Sequence, residues 1–168
     1  MDLASSLIGL GFVLAVIIPI VWSNIAQKNK KSKLLNNFLK LAEQQQLKIT
    51  VSDVWNDIHF IGLDSEAKKL FYLKKQENDE QSVLINLLDI VSCKVVNIGR
   101  TVKTSNGSSK VIDRLELKFA FPNAKIPEKT IEFYHVDKNK AFGSELLLIE
   151  KWENLIKMTI KKKESAAS

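Results

Sequence analysis

Residues 111–121 read Val-Ile-Asp-Arg-Leu-Glu-Leu-Lys-Phe-Ala-Phe. Leu115, Leu117, Phe119 and Phe121 recur at every second position, with Glu116 and Lys118 between them. An extended chain points successive side chains to opposite faces, so this stretch predicts a strand with one dry and one wet face. Before it, residues 104–109 (Thr-Ser-Asn-Gly-Ser-Ser) predict a flexible hairpin loop. Ile90 to Ile98 then predicts the preceding strand. After it, Pro122-Asn123-Ala124 breaks the pattern, and Lys129 to Val136 resumes it through Ile131 and Phe133. Toward the N-terminus, strands are predicted at 47–51, 57–63, 68–75 and 82–87, with a turn at 64–67 and a polar loop at 76–81. Seven short strands joined by polar turns predict a mainly β domain, an antiparallel sandwich or barrel.

Two amphipathic helices frame the strands. Over residues 32–46, Leu34, Leu35, Phe38, Leu41 and Ala42 share one face. Fifteen residues hold only about two heptads, which favours packing over a dimerising stalk. At the other end Ser144 is placed as N-cap and Glu145 suits the first turn. Leu148, Trp152, Leu155, Ile156 and Thr159 form the expected inner face of this helix, opposite Glu150, Lys151, Glu153, Asn154 and Lys157. Trp152 is expected to anchor it against an open end of the strand barrel.

Seven antiparallel strands followed by one amphipathic helix resemble the pleckstrin-homology-like (PH-like) superfold. Two stretches resemble its bacterial members. One is the hairpin Ile61-Gly62-Leu63-Asp64 with Lys68-Lys69-Leu70-Phe71-Tyr72; the other runs from Val83 to Cys93 through Asp89-Ile90. The resemblance covers about residues 47–160 and implies fold but no chemistry, since the superfold hosts lipid-headgroup, peptide and structural roles.

Leu3 to Gln27 is 25 residues without a charge. A membrane helix needs about 20 apolar residues to cross roughly 30 Å of hydrocarbon, and residues 3–22 meet that length. Trp22 falls where an interfacial aromatic anchor sits. Lys28, Lys30, Lys31 and Lys33 follow at once, while Asp2 precedes the run. The basic flank stays in the cytoplasm, so the expected topology is a single pass through the inner membrane with the N-terminus outside and the C-terminal domain inside. The same lysines suit contact with anionic lipid. A cleaved signal would make the protein a secreted or periplasmic ligand-binding barrel, but a basic region should then precede the apolar run. Asn106-Gly107-Ser108 matches a glycosylation sequon, which a cytoplasmic loop would not use. Ser5/Gly9 and Gly11/Ala15 are small residues four apart on different helix faces, enough for a weak homodimer contact only.

The 25 basic residues outnumber 19 acidic ones, giving a net charge of +6. Most of that excess lies in the 28–33 cluster and at Lys161-Lys162-Lys163; residues 34–160 carry 18 basic and 17 acidic side chains. A nucleic-acid domain would instead carry a basic face with interleaved aromatics, so no nucleic-acid partner is expected. One cysteine excludes an intramolecular disulfide framework, and two histidines with one cysteine argue against a zinc cage. His59 and His135 are expected to be partly exposed strand residues, and Cys93 a small buried hydrophobe. No nucleophile–base pair is visible and no cofactor is expected, which argues against an enzyme.

One constellation suggests binding. Arg100, Lys103, Lys110 and Arg114 flank the 104–109 loop, and pairing of the flanking strands would bring the four cations near its base. The competing reading is a solvated hairpin whose charges keep strand edges apart. The expected organisation is an anchor at 1–27, a basic juxtamembrane segment and helix at 28–46, a PH-like β domain at 47–160 and a basic frayed tail at 161–168. The expected role is a non-enzymatic module that binds an unknown protein partner at a sheet edge or rim. An anionic lipid-headgroup module is the alternative.

Overall fold

The computed structural model describes residues 29, 31–76, 79–104, 107–123, 125–139 and 141–166. The expected membrane span, with Trp22, Lys28 and Lys30, lies outside them. Among the described residues no helix is long and apolar enough to cross a membrane. The chain divides after Leu41 into two compact units. Helix α1 occupies 31–44, with Lys31 and Lys33 exposed at its start. Phe38 and Ala42 are buried and Leu34, Leu35 and Leu41 are half-buried, which is the apolar face expected from spacing.

The second unit, Ala42–Ser168, opens with the end of α1. Gln46 adopts a left-handed φ of 58°. Its N–H donates to Glu43 O and that of Leu47 donates to Ala42 O, so two terminal carbonyls are satisfied as the chain reverses. The first predicted strand, 47–51, is therefore displaced. Lys48 N–H donates to Asp64 Oδ2 at 2.8 Å instead of to a ladder. The first strand is β1, Val51–Trp55.

Six further strands follow: β2 (His59–Asp64), β3 (Lys69–Gln76), β4 (Asp79–Asn86), β5 (Ser92–Thr104), β6 (Gly107–Ala120) and β7 (Lys129–His135). They form two antiparallel sheets, ordered β1-β2-β3-β4 and β5-β6-β7, rather than a closed barrel. Turn chemistry sets the first hairpins. Asn56 and Asp57 both take positive φ between β1 and β2, which short polar side chains tolerate. At the β2–β3 turn Asp64 Oδ1 accepts from the N–H groups of Glu66 and Ala67. Burial raises the Asp64 carboxyl, but donation from Ala67, Lys48 and Glu66, with Lys69 nearby, outweighs it and holds the group below its usual range. The predicted polar loops shrink, because β3 and β4 pair out to Gln76 and Asp79, and β5 and β6 out to Thr104 and Gly107.

Both sheets and the last helix share one core. Ile61, Leu63, Leu70 and Ile85 from the first sheet meet Cys93, Leu115, Leu117, Phe119, Ile131 and Phe133 from the second. Helix α2, Glu145–Ala166, packs along β5, β6 and β7 rather than plugging a barrel end. It runs through Lys161–Lys163, so the expected tail is helical as far as Ala166. Its deepest residues are Ile149, Trp152 and Ile156, while Leu148 and Leu155 are half-buried. Ile149 was not on the predicted face.

Two indoles close the seam that backbone pairing leaves open. Trp55 Nε1 donates to Phe133 O at 3.0 Å, tying β1 to β7. Trp152 Nε1 donates to Asp53 Oδ2 at 2.9 Å, tying α2 to β1, and Lys151 Nζ pairs with the same oxygen at 2.6 Å. Trp152→Ala should lower the unfolding free energy by about 3–5 kcal/mol, the usual cost of truncating a buried tryptophan. Urea denaturation reads this directly, and a loss below about 1 kcal/mol would show that α2 does not close the core.

Candidate functional site

Strand β6 pairs with β5 along its whole length, but with β7 only from Arg114 to Phe119. The hairpin from Gly99 to Thr104 and back from Gly107 to Ile112 therefore leaves the sheet as a two-stranded arm. A two-stranded ribbon is marginal in water on its own. Residues 99–103 and 107–110 are exposed.

A bulge marks where the arm leaves. Ile98 pairs with Arg114 and Gly99 with Ile112, so Asp113 is the extra residue of β6. Asp113 Oδ1 is buried without a hydrogen bond. Arg100 Nε lies 3.5 Å from it, close enough for charge attraction but not for a directed bond. Gly99 is required here, because a Cβ would come within 2.5 Å of Val111 O.

Of the four predicted cations Arg100, Lys103 and Lys110 lie on this arm and Arg114 just beyond it, and they do not converge. Alternation and register place Arg100 and Arg114 on the outer face, and Lys103 and Lys110 on the face that continues the core side. Arg100 pairs with Asp113, and Arg114 with Glu116 at 3.2 Å. Among the described residues Lys103 and Lys110 have no ion pair. The outer face also carries His135 directly opposite Arg114. His135 Nδ1 accepts from the Asp137 N–H at 3.2 Å, and the groove there holds Asp113 and Asp137 together with Arg100 and Arg114.

The free edge of β5 is the second feature. Val95 N–H donates outward to Glu153 Oε1 of α2 at 2.9 Å. Burial raises the Glu153 carboxyl, but Lys157 and the Val95 N–H offset this and hold it below its usual range. Period-two alternation then turns the N–H and C=O groups of Asn97, Gly99, Thr101 and Lys103 to the same open side. The helix covers the edge at Val95, and nothing among the described residues pairs with it farther out. Sequence spacing missed this edge, because it depends on where β7 stops.

Inside the domain three titratable groups, His59, Tyr72 and Cys93, are held in their neutral forms. His59 is 4% exposed, not partly exposed as expected. Its ring stacks on Trp55 at 4.9 Å and its Nδ1 lies 2.7 Å from Tyr72 Oη. Burial, with Lys74 and Lys138 against an opposing Glu132, lowers its pKa to about 4. Burial likewise raises the Tyr72 phenol. Cys93 is buried as expected; burial and then Glu153, against Lys157, push its thiol up to about 12, which leaves no thiolate at neutral pH. No cluster of three or more His, Cys, Asp or Glu able to hold a metal occurs among the described residues.

Comparison with family models, with curated proteins and with solved structures returned no match.

Two outcomes test this geometry. Gly99→Ala should loosen the arm by about 1–3 kcal/mol, as overpacking does. Amide exchange at Arg100 and Val102 should speed up accordingly; unchanged exchange would remove the close approach to Val111. His59 has a folded pKa near 4 against an ordinary 6.5. Above pH 6.5 both states are neutral and stability is full. As pH falls toward 4 only the unfolded chain takes the proton, so stability drops by on the order of 3 kcal/mol. Unfolding free energies measured across that range should show this slope, and His59→Gln should flatten it.

Proposed function

We propose that this chain is a non-enzymatic interaction module, held at the cytoplasmic face of the inner membrane by its apolar N-terminus. In this reading its β domain is PH-like. Seven antiparallel strands followed by a C-terminal helix support that reading, since the resemblance implies that element order. The module takes an extended segment of a partner protein as an added strand on β5, from Asn97 to Lys103.

The observation that carries this reading is the arm. It projects past β7 with its edge backbone groups unpaired, while nearer the helix the β5 edge is capped by Glu153 at Val95. An unpaired edge is a template for another strand. A second copy would bring to this edge only more cations and no carboxylate, since residues 97–112 contain none, so a different chain is the better partner.

A photocrosslinker at Val102 of the full chain in intact cells should give one discrete adduct. Thr101→Pro, which removes an outward N–H yet suits an edge strand, should abolish it without lowering the thermal midpoint by more than about 2 °C. No discrete adduct, or one that survives Thr101→Pro, would sink the edge reading. Protease treatment of spheroplasts tests the anchoring separately: the domain should be protected until lysis.

A further inference from the structure

We infer that the core-side face of the arm is an anion site for a phosphate group, built from Lys103, Lys110, Thr101 and Ser108. This goes beyond strand pairing, because it uses side chains on a face rather than backbone groups at an edge.

The register sets Thr101 opposite Lys110 and Lys103 opposite Ser108. These two rungs are neighbours on one face, since each strand advances by two residues between them. Two ammonium groups and two hydroxyls therefore occupy the corners of one patch, the lysines on a diagonal. Opposed Cβ atoms in such a ladder lie about 4.5–5.5 Å apart and diagonal ones about 7–8 Å. Lysine stems span that distance easily, so both ammonium groups can reach one central group.

Charge favours an anion there. Residues 97–112 contain no carboxylate, and the nearest, Asp113, is turned to Arg100. Lys103 and Lys110 thus face each other uncompensated, and a bridging anion relieves their repulsion. The hydroxyls can donate to its remaining oxygens. A tetrahedral, doubly charged group uses four donors better than a carboxylate does. The outer face offers no equivalent, because Asp113 and Glu116 already answer Arg100 and Arg114.

Room for the rest of a ligand lies alongside. A hollow of about 320 Å³ lies beside Gly99, lined by Asn97, Arg100, Thr101, Lys110, Val111 and Ile112. It offers an amide and an apolar wall next to the Lys110 ammonium. The phosphate could belong to a soluble phosphate compound or to a lipid headgroup, and the chemistry of the patch is the same for both.

The full chain in phosphatidylcholine nanodiscs, titrated with inorganic phosphate, separates the outcomes. Backbone amides of Thr101, Lys103, Ser108 and Lys110 should shift saturably. Lys103→Gln/Lys110→Gln should weaken binding about tenfold or more, and Arg100→Gln/Arg114→Gln by less than about twofold. The same amides shifting in phosphatidylglycerol discs without added phosphate identify a headgroup ligand; a response to phosphate alone identifies a soluble one. No saturable shift with either probe, or equal losses in the two double variants, would overturn the site. A chain that stays out of the discs counts against the anchor only, and the phosphate titration in detergent still decides the site.

Discussion

One carboxylate oxygen holds the domain closed. Asp53 Oδ2 takes the indole N–H of Trp152 and the ammonium of Lys151, so the first strand and the last helix meet at one atom. Neither sheet can bury its inner face alone; each needs the other and the helix. The backbone does not complete that closure, because the strands form two separate ladders. Side chains complete it instead. Trp55 reaches Phe133 O, Trp152 reaches Asp53, and both indoles stay buried with their one polar atom satisfied.

Closure at that seam frees the opposite margin. With α2 drawn along β5, β6 and β7, Glu153 can seal the β5 edge at Val95 and no farther. Because β7 turns away at His135, β5 and β6 continue without it. The arm is thus a consequence of strand lengths: thirteen and fourteen residues in β5 and β6 against seven in β7. Unpaired backbone and unpaired lysines then collect in the same place. The interior shows the reverse, with His59, Tyr72 and Cys93 all pushed by burial toward their neutral forms.

Much of the fold was legible because burial on one face leaves a two-residue rhythm. Leu115, Leu117 and Phe119 are fully buried where the alternation placed them. The turn at Asp64 was equally plain, since a carboxylate that caps its own turn acts locally. β1 was misplaced because Asp53 and Asn56-Asp57 resemble loop residues. Asp53 is tolerated in a strand only because Trp152, 99 positions later, supplies its partner. Strand β2 was placed at 57–63 and lies at His59–Asp64, yet all six of its residues are buried, Phe60 and Gly62 included, so only its wet face was misjudged.

The four cations divide along the same line. Their types and spacing could be read from the chain, and so could their proximity to one hairpin. Which of them share a face could not. A single bulge at Asp113 resets the alternation of β6, and the length of β7 sets where the open edges begin. The sequence by itself determined the class of each segment, the turns and the placement of charge, because periodicity, capping and net charge are local properties. The tertiary structure alone decided that Lys103 and Lys110 stand together unpaired while Arg100 and Arg114 are neutralised. Register and partner choice are contacts between residues far apart in the chain, and no local pattern encodes them.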